Sequence, residues 1–402
     1  MMFDGERYGV PSGTDGRVIY FNKEIFAEAG LPEDWQPATV DEVLEAARTI
    51  KESQPDVTPI QLNAGVAMGE ATTMQGMLPL LAAAGAEIYD EESSMWTGAT
   101  PEMVQVLETY ATVYGDEGLG DPDLQVRQDG RDRSFLEFSE GKIAMLLESD
   151  YFWRDVINPE AGVAPMENRD EVVGWASIPG YEPGGALGGN DAASMSGGGG
   201  FLVNPNSENA EMAWELLKFM NSKESVTQGA GDTPKITQRE DVNAEILDVD
   251  PMLKYIAEEV LPVTHYRPGL AQYPQVSVAM QEASEAVVTG TSADDAARLP
   301  VGIGAIAGTT PSTEAERERS RPGEQRPSRT AIGAQPQEAE RERSRPGDGA
   351  RSQGDGCGAA QAERERSRPG ERAPASRTAT GCGGAAPTEE RLSVSELPRR
   401  NA

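Results

Sequence analysis

Apolar residues in this chain fall into short β-branched or aromatic runs and into stripes of helical period. Arg17 to Asn22 (RVIYFN) is an unbroken run between Gly16 and a charged segment, which predicts a buried strand. Lys23 to Ala29 predicts a short helix stopped by Gly30, with Pro32 beyond it. From Thr39 to Ser53 the signal is clearest: Thr39 and Glu42 form a capping box, and Val40, Val43, Leu44, Ala47 and Ile50 share one stripe. Further helices are predicted over Thr72–Ala84, Pro101–Tyr114, Ser134–Ser139, Pro251–Val260 and Gln275–Thr289, and further strands over Lys142–Glu148, Val172–Ile178 and Phe201–Asn204. Ser207 caps a predicted helix from Glu208 to Asn221, with Met212, Leu216, Phe219 and Met220 along its inner side. Helices alternating with short apolar strands predict an α/β fold.

The pattern stops after Asp295. Glu-Arg-Glu-Arg-Ser-Arg-Pro-Gly recurs at Glu316–Gly323, Glu340–Gly347 and Glu363–Gly370, in a stretch without aromatics, so stacked units would bury almost nothing. The composition of residues 299–402 predicts a disordered C-terminal tail. That tail holds 17 Arg and 15 acids, which leaves 18 bases and 52 acids in residues 1–298, a net charge of -34. Such a surface repels phosphate, so no nucleic-acid partner is expected for the folded part. RNA association through the Arg-containing tail is a separate reading, opposed by its interleaved Glu.

Both cysteines, Cys357 and Cys382, lie in the tail and His265 is the sole histidine, so no metal, no cofactor and no Ser-His-Asp triad is expected. Two segments carry candidate chemistry. The glycines around Gly188–Asn190 and Gly197–Gly200 precede a strand and lack a Gly-Lys-Ser/Thr ending, which disfavours a phosphate loop. A close backbone approach to a ligand or hinge, or a plain loop, remains. Glu148 to Trp153 (ESDYFW) follows an apolar strand, where open α/β sheets present ligand contacts, and its carboxylates and rings suit a sugar. In the competing reading Phe152 and Trp153 begin the core face of the next helix. A glycoside hydrolase with paired carboxylates is the alternative function, though no pair stands out among so many acids.

The order of segments resembles the family 1 extracellular solute-binding proteins of ABC sugar importers, the maltose-binding-protein relatives. The resemblance runs through YGVPSGTDGRVIYFNKEIF (Tyr8–Phe26), LAAAGAEI (Leu81–Ile88), FSEGKIAM (Phe138–Met145) and GWASIPG (Gly174–Gly180). It continues through GGGGFLVNPNS (Gly197–Ser207), AWELLKFM (Ala213–Met220), YRPG (Tyr266–Gly269) and VVTG (Val287–Gly290). It implies a periplasmic-binding-protein type II fold, two α/β lobes closing on a ligand, with residues 1–298 as the solute-binding region. Residues 12–200 and 250–297 are then mainly the C-terminal lobe, and about 204–248 part of the N-terminal lobe. Roughly the first hundred residues of the family pattern, with the export signal and the lipoprotein cysteine of the intact family, have no counterpart. Together with the tail, this implies a truncated or frameshifted fragment with impaired binding.

Carried over residue by residue, the resemblance places ring-stacking aromatics at Tyr151 and Trp153, with Asp150 beside them. It places Asp15 after the first hinge crossing, Gln75 at a cleft-facing helix start, Gly198 and Gly199 at the second crossing, and Arg267 as a donor to sugar hydroxyls. The implied partners are a mono- or oligosaccharide and the membrane permease subunits of an ABC transporter, the protein itself being a monomer outside the cytoplasmic membrane. No catalysis is implied.

Overall fold

The computed structural model describes residues 2–3, 6–7, 9–204, 206–231 and 234–299; the three repeats and the tail's expected disorder lie outside the described residues. A four-stranded sheet runs in the order Thr58–Gln61, Ile143–Ser149, Arg17–Asn22, Val173–Ala176. Its first pair is parallel and the other two are antiparallel. The Arg17–Asn22 run is buried along its whole length because both faces of the sheet are covered. Ile19 and Phe21 join a core built with the helices Val40–Ser53, Pro101–Tyr114 and Tyr273–Val288. Val18 and Tyr20, pointing the other way, join a second core with Phe152, Trp153, Met252 and Ile256. A strand covered on both sides has no solvent face, so its sequence shows a continuous apolar run rather than alternation.

The helix Val40–Ser53 starts as its sequence predicts. Thr39 Oγ1 accepts the Glu42 N–H at 3.3 Å, while Glu42 reaches one residue past the cap, to the Ala38 N–H at 2.8 Å. Replacing Thr39 by Ala is expected to cost about 1 kcal/mol, seen as a lower denaturant midpoint at unchanged slope.

Several predicted elements differ in detail. Thr72–Ala84 is not one regular helix: a wide π-type turn at Thr73–Met77 joins Glu70–Thr72 to Leu78–Ala83. Pro79 has no N–H to return to the Gln75 carbonyl, and the turn ahead of it opens. Pro262 follows a second such turn, Ile256–Val260, in the same way. The strand expected at Phe201–Asn204 lies earlier, at Gly199–Phe201, where it finds a partner in Val10–Gly13. The expected Glu208–Asn221 helix spans Ala210–Met220, and its supposed inner side is a surface. Met212, Leu216, Phe219 and Met220 are all exposed and only Leu217 is buried, because no described residues pack on that stripe.

Candidate functional site

Two segments far apart in the sequence meet in one short ribbon. Val10–Gly13 pairs antiparallel with Gly199–Phe201, with a register slip between Gly199 and Gly200. Gly198 enters this ribbon at φ +52°, a backbone region that side-chain-bearing residues rarely adopt. Asp15, just beyond the first segment, clips it to the second. Its carboxylate accepts the N–H groups of Gly197 at 2.7 Å and Gly198 at 3.1 Å and the Ser196 hydroxyl at 2.8 Å.

Arg17 completes the clip from the buried side. Its guanidinium pairs with Asp15 at 2.9 Å, donates to the Met195 carbonyl at 2.9 Å and to Gln75 Oε1 at 2.8 Å. Burial opposes the charge on Asp15, but Arg17, the Gly198 N–H and the Ser196 hydroxyl outweigh it and hold the carboxyl below its usual range. A carboxylate whose folded pKa is depressed adds stability above its unfolded pKa and loses it as pH falls through the folded value. The stability difference between the natural chain and Asp15→Asn is therefore expected at neutral pH and should shrink on acidification below about pH 4, as read from urea titrations across that range.

Against this ribbon lies an open cavity of about 260 Å³. Asp15, Asp150, Gly198 and Gly199, all anticipated from the sequence, line it together with Ser12, Arg154 and Lys235, which were not anticipated. Arg154 sits four residues after Asp150, a spacing that pairs opposite charges on a helical turn, and that signal was available. Lys235 arrives from a distant part of the chain with no local signature.

Asp150 is a buried carboxylate with one oxygen unpaired. Its N–H bonds the Gly16 carbonyl at 3.1 Å, and its Oδ2 accepts from Arg154 Nε at 2.7 Å. Its Oδ1, although buried, has no hydrogen-bond partner among the described residues. Burial raises its pKa; Arg154 offsets part of that, and the nearby charge of Asp15 adds to it. Because this oxygen is shut off from solvent, a hydrogen-bond donor in the cavity reaches it only with a local shift of the cavity wall.

The other anticipated residues separate. Tyr151 is 41% exposed but does not line the cavity. Trp153 is 2% exposed, and its Nε1 donates to Asp250 Oδ2 at 3.0 Å. Trp175 packs edge-on against its ring at 5.5 Å between centroids, and the Arg169 guanidinium lies 3.8 Å over it. Trp153 as a stacking platform is thus corrected; it starts the core face after the strand. Gln75 is buried and turned to Arg17 rather than to the cavity. Arg267 is engaged elsewhere, pairing with Glu70 at 2.7 Å and lying over the Tyr273 ring.

Comparison with known proteins agrees with this architecture. Residues 1–227 match the family model described as bacterial extracellular solute-binding protein. A putative binding protein of Brucella abortus is 23% identical over 302 residues, covering 73% of this chain and 66% of that protein. The diacetylchitobiose binding protein of Streptomyces coelicolor is 26% identical over 225 residues, covering 54% of this chain and 46% of that protein. The chain thus spans less than two thirds of the length of these relatives. In structure it is similar to an ABC transporter solute binding protein from Thermotoga lettingae bound with α-D-tagatose. The TM-score is 0.60 and the identity 23%, with 75% of this chain and 72% of that chain covered. It is also similar to the sugar-binding protein MalE of Xanthomonas citri, with TM-score 0.62, identity 17%, and 79% and 73% covered. At these identities the likeness establishes a mixed α/β solute-binding fold. With the family model matching more than half of its length, the chain belongs to the bacterial extracellular solute-binding protein family.

Proposed function

We propose that this chain is the carbohydrate-binding component of an ABC importer, capturing a sugar at the hinge cavity and presenting it to a membrane permease without chemical turnover. One observation carries the reading: a buried carboxylate, Asp150, lines the cavity with one oxygen unpartnered. A sugar hydroxyl is a neutral donor of the right kind for it. Asp15 would serve as a hinge clip through its Oδ1, which takes the Ser196 hydroxyl, the Gly197 and Gly198 N–H groups and Arg17, and its Oδ2 would remain as a further acceptor toward the cavity. Gly198 and Gly199 would bring backbone close to the ligand, and Tyr151, exposed but outside the cavity lining, would stack only on a ligand that extends beyond it. Gln75 would act only through Arg17, and Arg267 would stay outside the site.

Residues 12–200 and the return through 250–297 would form the C-terminal lobe. Ile236 and Leu247 belong to the core of Val18, Tyr20 and Phe152, which supports a return near residue 236 rather than 250. The remainder of 204–248 would belong to the other lobe. The relatives named above are binding proteins, which supports capture over glycoside hydrolysis.

The cavity is small for a ligand site, so mono- and disaccharides are the expected ligands. Titration of the chain with a saccharide panel, followed by saturation-transfer NMR, should show binding in the millimolar range, about -4 kcal/mol. Hydrolysis of a chromogenic glycoside, or no saccharide contact at tens of millimolar (roughly -2 to -3 kcal/mol), would overturn the proposal.

A further inference from the structure

From Glu52 to Val126 the chain holds 13 acids and no Lys, Arg or His. This stretch supplies the strand Thr58–Gln61, the helices Leu78–Ala83 and Pro101–Tyr114 and much of the larger core. Two of its acids find a base among the described residues, Glu70 with Arg267 and Glu117 with Arg48. The imbalance extends over the whole folded part. Residues 1–298 set 52 acids against 18 bases, and 14 of those bases are already held in ion pairs among the described residues. One-to-one pairing of every base would still leave 34 acids without a counter-charge, and residues 299–402 carry a net of only +2.

We infer that the folded part depends on dissolved cations for its compactness, so that molar monovalent salt holds it folded and dilute buffer loosens it. Like charges crowded onto a compact body repel one another, and unfolding moves them apart. Salt removes that penalty from the native state, because the screening length falls from about 10 Å at 0.1 M to about 3 Å at 1 M. The screening is diffuse and needs no cation site. Salt also weakens exposed ion pairs, but each of those contributes little, whereas the surplus charge is repulsive throughout. Members of an extracellular family meet the salt of the surrounding medium directly, and a saline medium is the one this surface fits. Nothing in this dependence rests on sugar binding.

The test is urea unfolding of the full chain, followed by circular dichroism, in about 0.05 M and about 2 M KCl with no saccharide present. The urea midpoint is expected to rise by about 1 M or more across that range. A chain with no folded baseline in the dilute buffer that gains one in the concentrated gives the same answer. Glu33→Lys, Glu52→Lys, Asp56→Lys, Glu91→Lys, Glu92→Lys and Glu167→Lys are combined in a second protein; all six acids are exposed and have no ion pair among the described residues. That protein should be the more stable of the two in dilute buffer and should lose at least half of the salt response. Gln or Asn at the same positions should act in the same direction with a smaller effect. A midpoint that stays flat or falls with KCl overturns the proposal. So does an undiminished salt response in the sixfold variant, which would assign the effect to strengthened apolar burial rather than to charge. Loss of the fold in both variant sets at every salt concentration overturns it too, since the acids would then be structural rather than surplus.

Discussion

Replacing Arg17 by Met is expected to destabilise the chain by about 3–5 kcal/mol, the cost of leaving buried polar partners without their cation. Arg17 is 3% exposed and joins Asp15, after the first strand of the ribbon, to Met195, before the second. Its guanidinium meets Asp15, the Met195 carbonyl and Gln75, and its backbone N–H meets Ser194 Oγ at 2.8 Å. Met fills a similar volume but donates nothing, so Gln75 Oε1 and the Met195 carbonyl lose these bonds, and Asp15 retains its charge without its counter-ion. Lys should fall between the two: it restores charge at one point but not the planar fork that reaches three acceptors. The measurement is the urea midpoint of each variant at neutral pH. A loss under 1 kcal/mol in the Met variant would show that the clip adds little to the fold.

The Asp15–Arg17 clip also shows what could be read in advance. Strand Arg17–Asn22 and the Thr39 cap are encoded locally, by a run of β-branched and aromatic residues and by a four-residue capping pattern. Both are found where the sequence places them. The pairing of Asp15 with Gly197 and Gly198 spans more than 180 positions and has no local signature. Family order alone brought those residues near one another. Trp153 was misassigned for a related reason. An aromatic after a buried strand can face a cleft or begin the next core layer, and only tertiary packing, here Trp175 and Arg169, decides between them. The stripe Met212–Leu216–Phe219 was read correctly as apolar but placed inward, because periodicity reveals a face and not what covers it.

Asp150→Asn is expected to weaken saccharide binding by about 10- to 100-fold, the span of a lost hydrogen bond to a charged group of about 1.5–3 kcal/mol. The carboxylate divides its work: Oδ2 holds Arg154 at 2.7 Å, and Oδ1 has no partner. A sugar hydroxyl bonded to Oδ1 would pair a buried acceptor that no described residue pairs. Asn keeps the shape but removes the charge, and it must choose whether its oxygen faces Arg154 or the ligand. Since burial raises the pKa of Asp150, affinity in the natural chain should also fall as pH is lowered through that raised value and the carboxyl becomes neutral. The Asn variant should lack that dependence. Saturation-transfer titrations of both proteins at neutral and mildly acidic pH separate the outcomes. Equal affinity of the two proteins, or an identical pH profile, would remove Asp150 from the site and leave Tyr151 and the hinge glycines to account for any binding that remains.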